Sequence, residues 1–328
     1  MNNLNPLFYT QTKAATWTGR NDGNHPLAQR WHQRIVPIDL LSTEIPELPS
    51  EKKGIALIGF ACDEGVKRNG GRTGAKEGPD QFRKASGNLP VQFEGDTLFL
   101  DCGNVICENG DMEEAQRTLA LIVSSLLVAG YQPLVIGGGH EVAYAHYSGI
   151  RNAVEQTATI GIINFDAHFD LREPAENGTN SGTGFLQIAN DCKAANQQFR
   201  YMPIGIQQNS NTRFLFETAD NLGVNYITSD WFQPLKQQEL QQKIAAFIAG
   251  STHIYLTICM DVFSSSVAPG VSAPAYSGLF PDPFFFSILK SILASGKVIS
   301  IDIAELNPTY DQDQRTAKLV AALAFNMT

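Results

Sequence analysis

Asp166, His168 and Asp170 stand two residues apart in the string I-N-F-D-A-H-F-D-L-R, residues 163–172, and each can ligate a metal. In an extended backbone side chains alternate faces, so residues i, i+2 and i+4 share one side and three ligands converge without a helix. The preceding run, 160–165, is largely apolar and β-branched, as in strands buried on both faces. The triplet is therefore expected at the C-terminal end of a strand. Two carboxylates buried there need a cation, although the same residues also fit a salt-bridged strand end with a satisfied histidine.

The elements that must position this triplet are legible as short apolar runs at 55–60, 97–100, 133–136, 160–165, 201–206, 225–227, 254–260 and 298–303. Helical periodicity separates several of them. Over 111–129, Asp111 and Glu114 make a capping-box-like start, Leu119, Ile122, Val123 and Leu126 form a stripe, and Gly130 follows the end. Over 237–249, Leu240, Ile244, Phe247 and Ile248 face inward. Strands alternating with helices predict an α/β fold with a mostly parallel sheet of about eight strands, covered on both faces. The first fifty residues are polar and proline-punctuated and are expected to wrap the surface as an irregular segment of a single domain spanning 1–328.

Ligands of such sheets bind beyond the carboxyl ends of the strands. Four runs lead there into reactive residues: 133–136 into Gly137-Gly138-Gly139-His140-Glu141, 160–165 into Asp166, 254–258 into Cys259 and Asp261, and 298–303 into Glu305. His140, Asp166, His168, Asp170 and Asp261 offer enough hard donors for one metal and for two, of a kind suited to manganese. The triple glycine has neither dinucleotide-fingerprint nor Walker A spacing. It is expected instead to let the backbone pass close to the metal-bearing strand and present His140, which could equally be structural.

Across 328 residues, 43% hydrophobic and 17% charged content describe an ordinary globular chain, and a net charge of −9 disfavours a nucleic-acid partner. The start of the chain has no basic and apolar leader, and no apolar run approaches a membrane span, so a cytoplasmic protein without membrane contact is expected. Five scattered cysteines with no CxxC pair read as reduced thiols.

Taken as an ordered set, G-G-G-H-E at 137–141, D-A-H-F-D at 166–170, T-I-C-M-D-V-F…A-P-G over 257–270 and D-I-A-E-L-N-P at 302–308 resemble the ureohydrolase family, the arginases and agmatinases. That resemblance implies a three-layer α/β/α sandwich and two Mn2+ ions. Further strings are similar to the formimidoylglutamase branch, which cleaves N-formimidoyl-L-glutamate in histidine degradation: W-T-G-R at 17–20, the run 59–75, D-A-H-F-D-L-R, S-G-T-G-F at 181–185 and A-P-G-V-S-A-P at 268–274. Ser181 stands where agmatinase-like members carry histidine.

The resemblance implies His140, Asp166, His168, Asp170 and Asp261 as metal ligands, with Asp166 bridging. A second bridging aspartate is expected where this chain has Cys259, which as a thiolate could ligate or as a thiol could be inert, leaving one ion's occupancy open. The implied reaction is hydrolysis at an amidine carbon by metal-activated hydroxide, releasing formamide and L-glutamate. Asp170 is expected to protonate the leaving nitrogen and Glu305 to bind the formimidoyl NH groups, unless Glu305 pairs with a structural cation. Arg72 and Arg172, before Arg20 and Arg68, are expected to hold the substrate carboxylates, with Ser181 beside them. An agmatine or guanidino-acid hydrolase and a non-catalytic binding protein with a degraded metal site are the other readings. Family members often form oligomers, but nothing in the chain fixes a number.

Overall fold

The computed structural model describes residues 4–93 and 96–328. Its strands are β1 (Tyr9–Thr10), β2 (Val36–Pro37), β3 (Gly54–Ala61), β4 (Leu98–Ile106), β5 (Gln132–Ile136), β6 (Ile160–Phe165), β7 (Arg200–Ile206), β8 (Ile227–Thr228), β9 (His253–Cys259) and β10 (Val298–Ala304). They form one sheet in the order β1-β4-β3-β5-β10-β9-β6-β7-β8, with β2 also on β4 and only the β1–β4 pairing antiparallel. The main helices are α1 (Glu64–Arg68), α2 (Gly78–Ser86), α3 (Met112–Val128), α4 (Val142–Ala153), α5 (Gly184–Ala194), α6 (Arg213–Asn221), α7 (Gln237–Ala249), α8 (Pro283–Leu293) and α9 (Arg315–Met327).

Side-chain alternation along the strands builds two cores. Ile55 and Leu57 of β3 and Ile254, Leu256 and Ile258 of β9 pack with α2, α7, α8 and α9. Their neighbours Ala56, Ile58, Phe60 and Tyr255 pack with α3, α4, α5 and α6. Strands apolar on both faces thus make the expected three-layer α/β/α sandwich. Asp111 caps α3 by accepting from the Glu114 amide, and α7 occupies the predicted 237–249. Among the described residues no helix is long and apolar enough to cross a membrane.

The structure refines three expectations. Among the described residues the sheet has ten strands, the expected eight or so being joined by Tyr9–Thr10 and Val36–Pro37, which pair with β4. The first fifty residues do not merely wrap the surface: Trp31 is fully buried, and Phe8, Trp17, Ile35 and Leu40 are buried too. This segment covers what would otherwise be an exposed sheet edge. β4 also runs six residues past the predicted 97–100. Asp101 and Asn104 interrupt its apolar pattern, but Arg83 satisfies both inside the sandwich.

Candidate metal centre

The four strands whose ends carry the reactive residues, β5, β10, β9 and β6, are consecutive neighbours in the middle of the sheet. Their C-terminal ends therefore meet at one place, as expected of a parallel sheet.

The triplet reaches it by a different path from the expected strand extension. β6 ends at Phe165 and the backbone bends at once, with the His168 amide donating to Asp166 Oδ1 at 2.8 Å and Asp170 in the left-handed region at φ 49°. A carboxylate closing a turn on its own backbone competes with strand continuation. The alternation nevertheless survives, since Ala167, Phe169 and Leu171 are buried in the core while His168 and Asp170 line the cavity opposite. Glu305, at φ 70°, is the other site acid in the left-handed region. Each such residue costs roughly 1–2 kcal/mol, strain of the kind that collects at functional sites.

The glycines before His140 serve close approach, but to different neighbours than expected. A Cβ at Gly138 would lie 1.8 Å from the Cys62 carbonyl oxygen, and one at Gly137 would lie 3.3 Å from the Ala304 Cα. The ends of β3 and β10, not the metal-bearing β6, press on this turn. Gly139 donates to Cys62 O at 2.9 Å and Glu305 N to Gly138 O at 2.8 Å, which fixes His140 over the sheet edge.

There His140 Nδ1 lies 2.9 Å from both Asp166 Oδ2 and Asp170 Oδ2. His168 Nδ1 lies 3.1 Å from Asp261 Oδ2 and 3.5 Å from Asp166 Oδ1. Asp166 thus faces both imidazoles. Two overlapping groups of donor atoms result, His140–Asp166–Cys259 and Asp166–His168–Asp261, each with atoms within 4.8 Å of one another. Asp170 borders the first group through His140.

The electrostatics are those of a site short of positive charge. Among the described residues no lysine or arginine pairs with Asp166, Asp170, Asp261 or Glu305, and the buried Asp261 Oδ1 has no partner. Burial alone would push the imidazole of His140 down, yet hydrogen bonds to Asp166 and Asp170 raise it well above its usual value. Burial and the charge of Asp166 push Asp170 and Asp261 up. Asp166 itself is held low: its burial is outweighed by hydrogen bonds from His140 and His168. Burial, then the carboxylates of Asp166, Asp261 and Glu305, raises the Cys259 thiol. The acids lean on imidazole nitrogens for want of a positive charge, and a divalent cation would take that place. A carboxylate-rich donor set with an orphaned buried oxygen fits such a cation.

A cavity of about 310 Å³ opens onto these donors. His140, His168, Asp170, Cys259, Asp261 and Glu305 form its floor, and Asn69, Arg72, Arg172 and Ser181 its walls. Glu305 is buried and pushed up to about 7 by that burial, while accepting from the His140 amide at 3.1 Å and the Ser272 amide at 3.3 Å. Arg72 spends Nη2 and Nε on the carbonyls of Val271 (2.6 Å) and Ser272 (3.3 Å) and stacks on Tyr310 at 4.0 Å. Arg172 is exposed at the wall, with Asn69 Oδ1 at 3.5 Å as its one side-chain partner among the described residues. Arg68 is committed to Glu113 at 2.6 Å and Arg20 to Asp22 at 2.6 Å, and neither lines the cavity.

Sequence reasoning missed three supporting residues. Asn69 donates to Ser181 Oγ at 3.1 Å, Asn164 donates to Asp166 Oδ2 at 3.1 Å, and Thr257 sits 3.0 Å from His140 Nε2. All three lie inside the quoted strings, but a neutral side chain carries no charge signature by which to single it out.

The arginase family model matches residues 53–328. The chain is 42% identical to formimidoylglutamase of Clostridium tetani over 95% of its length and 93% of that protein's. The crystal structure of Trypanosoma cruzi formiminoglutamase with Mn2+2 superimposes with a TM-score of 0.73 at 25% identity, covering 84% of this chain and 92% of that one. Formimidoylglutamase from Bacillus subtilis has the same fold, with a TM-score of 0.76 at 23% identity over 89% and 88%. With its four adjacent strand ends, its cation-poor donor cluster and a family match over most of its length, the chain belongs to the arginase family.

Proposed function

We propose that the protein is a formimidoylglutamase, hydrolysing N-formimidoyl-L-glutamate to L-glutamate and formamide, with the whole chain acting as one ureohydrolase domain. The observation that carries the reading is the pairing of a cation-poor donor cluster with an exposed arginine on the wall of one cavity. The relatives named formimidoylglutamase support it.

His140, Asp166 and Asp170, with Cys259 as a further donor, would hold one Mn2+, and Asp166, His168 and Asp261 a second. Bound there, divalent cations supply Lewis acidity that makes water nucleophilic near neutral pH. The chain's own groups do the rest. Glu305, fixed by two backbone amides, presents carboxylate oxygens to the cationic formimidoyl NH groups. Asp170, 2.9 Å from His140 Nδ1 at the cavity floor, is the carboxyl group placed to pass a proton to the departing glutamate nitrogen. Arg172 offers its planar fork to a substrate carboxylate, and Asn69 with Ser181 sets the neighbouring wall. Arg72, tied to two carbonyls and stacked, shapes the cavity and adds positive charge near the second carboxylate.

The test is a substrate series with manganese: formamide release from N-formimidoyl-L-glutamate against urea release from agmatine, 4-guanidinobutyrate and arginine, on the native chain and Arg172→Ala. The expected result is activity on the formimidoyl substrate alone. Loss of one charged hydrogen bond in the variant should raise KM by about 10- to 100-fold. Turnover of a guanidino compound only would overturn the reading.

A further inference from the structure

Thr257 and Asp302 belong to strings that mark the family, yet the reaction above gives neither a task. They are registered partners across β9 and β10 and are both fully buried. Their contacts form a chain. His140 Nε2 is 3.0 Å from Thr257 Oγ1, and Thr257 Oγ1 donates to Asp302 Oδ1 at 2.7 Å. Asp302 Oδ2 in turn accepts from the Tyr255 hydroxyl and lies 2.7 Å from His146 Nδ1. His146 sits in α4 and His140 two residues before it, so the chain leaves the head of that helix, crosses two strands and returns to the helix.

Proton bookkeeping gives the chain a direction. A carboxylate only accepts, so the single hydroxyl hydrogen of Thr257 goes to Asp302, and the hydroxyl oxygen is left to accept from His140. That requires a proton on His140 Nε2. In the neutral imidazole Nδ1 is then bare, and Nδ1 is the atom 2.9 Å from Asp166 and Asp170.

We propose that Asp302, acting through Thr257, is a positioning residue that holds His140 in the tautomer whose Nδ1 lone pair faces a cation among Asp166, Asp170 and Cys259. The inference rests on His140 being a metal ligand. Tyr255 and His146 anchor Asp302 from the far side, so its carboxylate cannot swing away from Thr257. Outer partners of this kind fix the orientation and basicity of a ligating histidine.

The experiment is a manganese-binding isotherm, read as free Mn2+ by electron paramagnetic resonance, on the full-length native chain, His140→Ala, Thr257→Val, Thr257→Ser and Asp302→Asn. Circular-dichroism melting of each manganese-free sample establishes that it is folded. Thr257→Val and Asp302→Asn should weaken one of two manganese sites by about 10- to 100-fold, while Thr257→Ser, which keeps the hydroxyl, should bind as the native chain does. If His140→Ala weakens binding but Thr257→Val and Asp302→Asn do not, the positioning role is overturned and the ligand assignment stands. If His140→Ala binds like the native chain, the ligand assignment itself fails and takes the inference with it. Equal weakening in Thr257→Ser and Thr257→Val would show that packing, not the hydroxyl, matters, and would also overturn it. Should Thr257→Val not fold, Asp302→Asn against Thr257→Ser decides the same question.

Discussion

Two of the places where this molecule buries carboxylates satisfy them in opposite ways. Beneath α2, Asp101 accepts from Arg83 Nε and Nη2 at 2.8 Å each, from Trp17 Nε1 at 2.7 Å, and from Thr12 and the Gly103 amide. Acid and base are both fully buried there, and their charges cancel within the chain. At the ends of β5, β10, β9 and β6, four acids meet imidazoles and amides but, among the described residues, no guanidinium, and one oxygen of Asp261 has no partner there. The first arrangement is complete as it stands. The second has affinity left over for charge brought from outside, which is what separates a structural ion pair from a binding site.

Asp166→Asn breaks the contrast most sharply. It removes the carboxylate shared by both donor groups, so activity should fall by about a thousandfold or more. Manganese content, measured by elemental analysis, should drop with it. Stability of the metal-free chain should stay level or rise, because one of several converging negative charges is gone. A loss of stability equal to that of a core lesion would place this cluster in the same category as Asp101. Arg83→Met makes the complementary change, stranding Asp101 without its counter-charge. Urea unfolding should show about 3–5 kcal/mol of destabilisation. Manganese bound per folded molecule should be unaffected, and an emptied metal centre at native stability would undo the comparison.

Cys259→Asp sharpens it with the smallest effect. Restoring a carboxylate beside His140 should leave manganese content at least equal to that of the native chain. A lower content would establish the thiolate as a required ligand. Cys259 is buried, and that burial, then the charges of Asp166, Asp261 and Glu305, raises its thiol, so ligation there needs the proton removed against that field.

The sheet and the gathering of the site were legible because a parallel sheet buried on both faces writes each strand as an apolar run. The residue just past each run then identifies itself by chemistry. What escaped notice did so for equally physical reasons. β4 carries Asp101 and Asn104 inside it, both satisfied by the distant Arg83, so no local pattern announced its extension past 97–100. The tryptophans of the first fifty residues are too widely spaced to mark a core element, although both are buried. The sequence ranked Arg172 before Arg68, but only the positions of Glu113 and Asn69 separate the committed arginine from the available one. The bend after Phe165 was hidden because an extended path and an Asx-type turn predict the same convergence of alternate residues.

The place of β10 has a consequence for how the protein comes into being. This strand is the last of the sheet in the chain and lies at its middle, between β5 and β9. On one side of it stand β1, β4, β3 and β5, which lead to His140; on the other stand β9, β6, β7 and β8, which lead to Asp166, His168, Cys259 and Asp261. Until residue 298 leaves the ribosome, these are two half-sheets with no strand to join them. The donor group that sets His140 beside Asp166 and Cys259 is thus brought together by the last strand to be made, through pairings such as Asp302 with Val135 that close a long stretch of chain and form slowly. A nascent chain stalled before that strand should bind less manganese than the complete chain, because His140 is not yet joined to Asp166 and Cys259, and release of the final segment should raise binding.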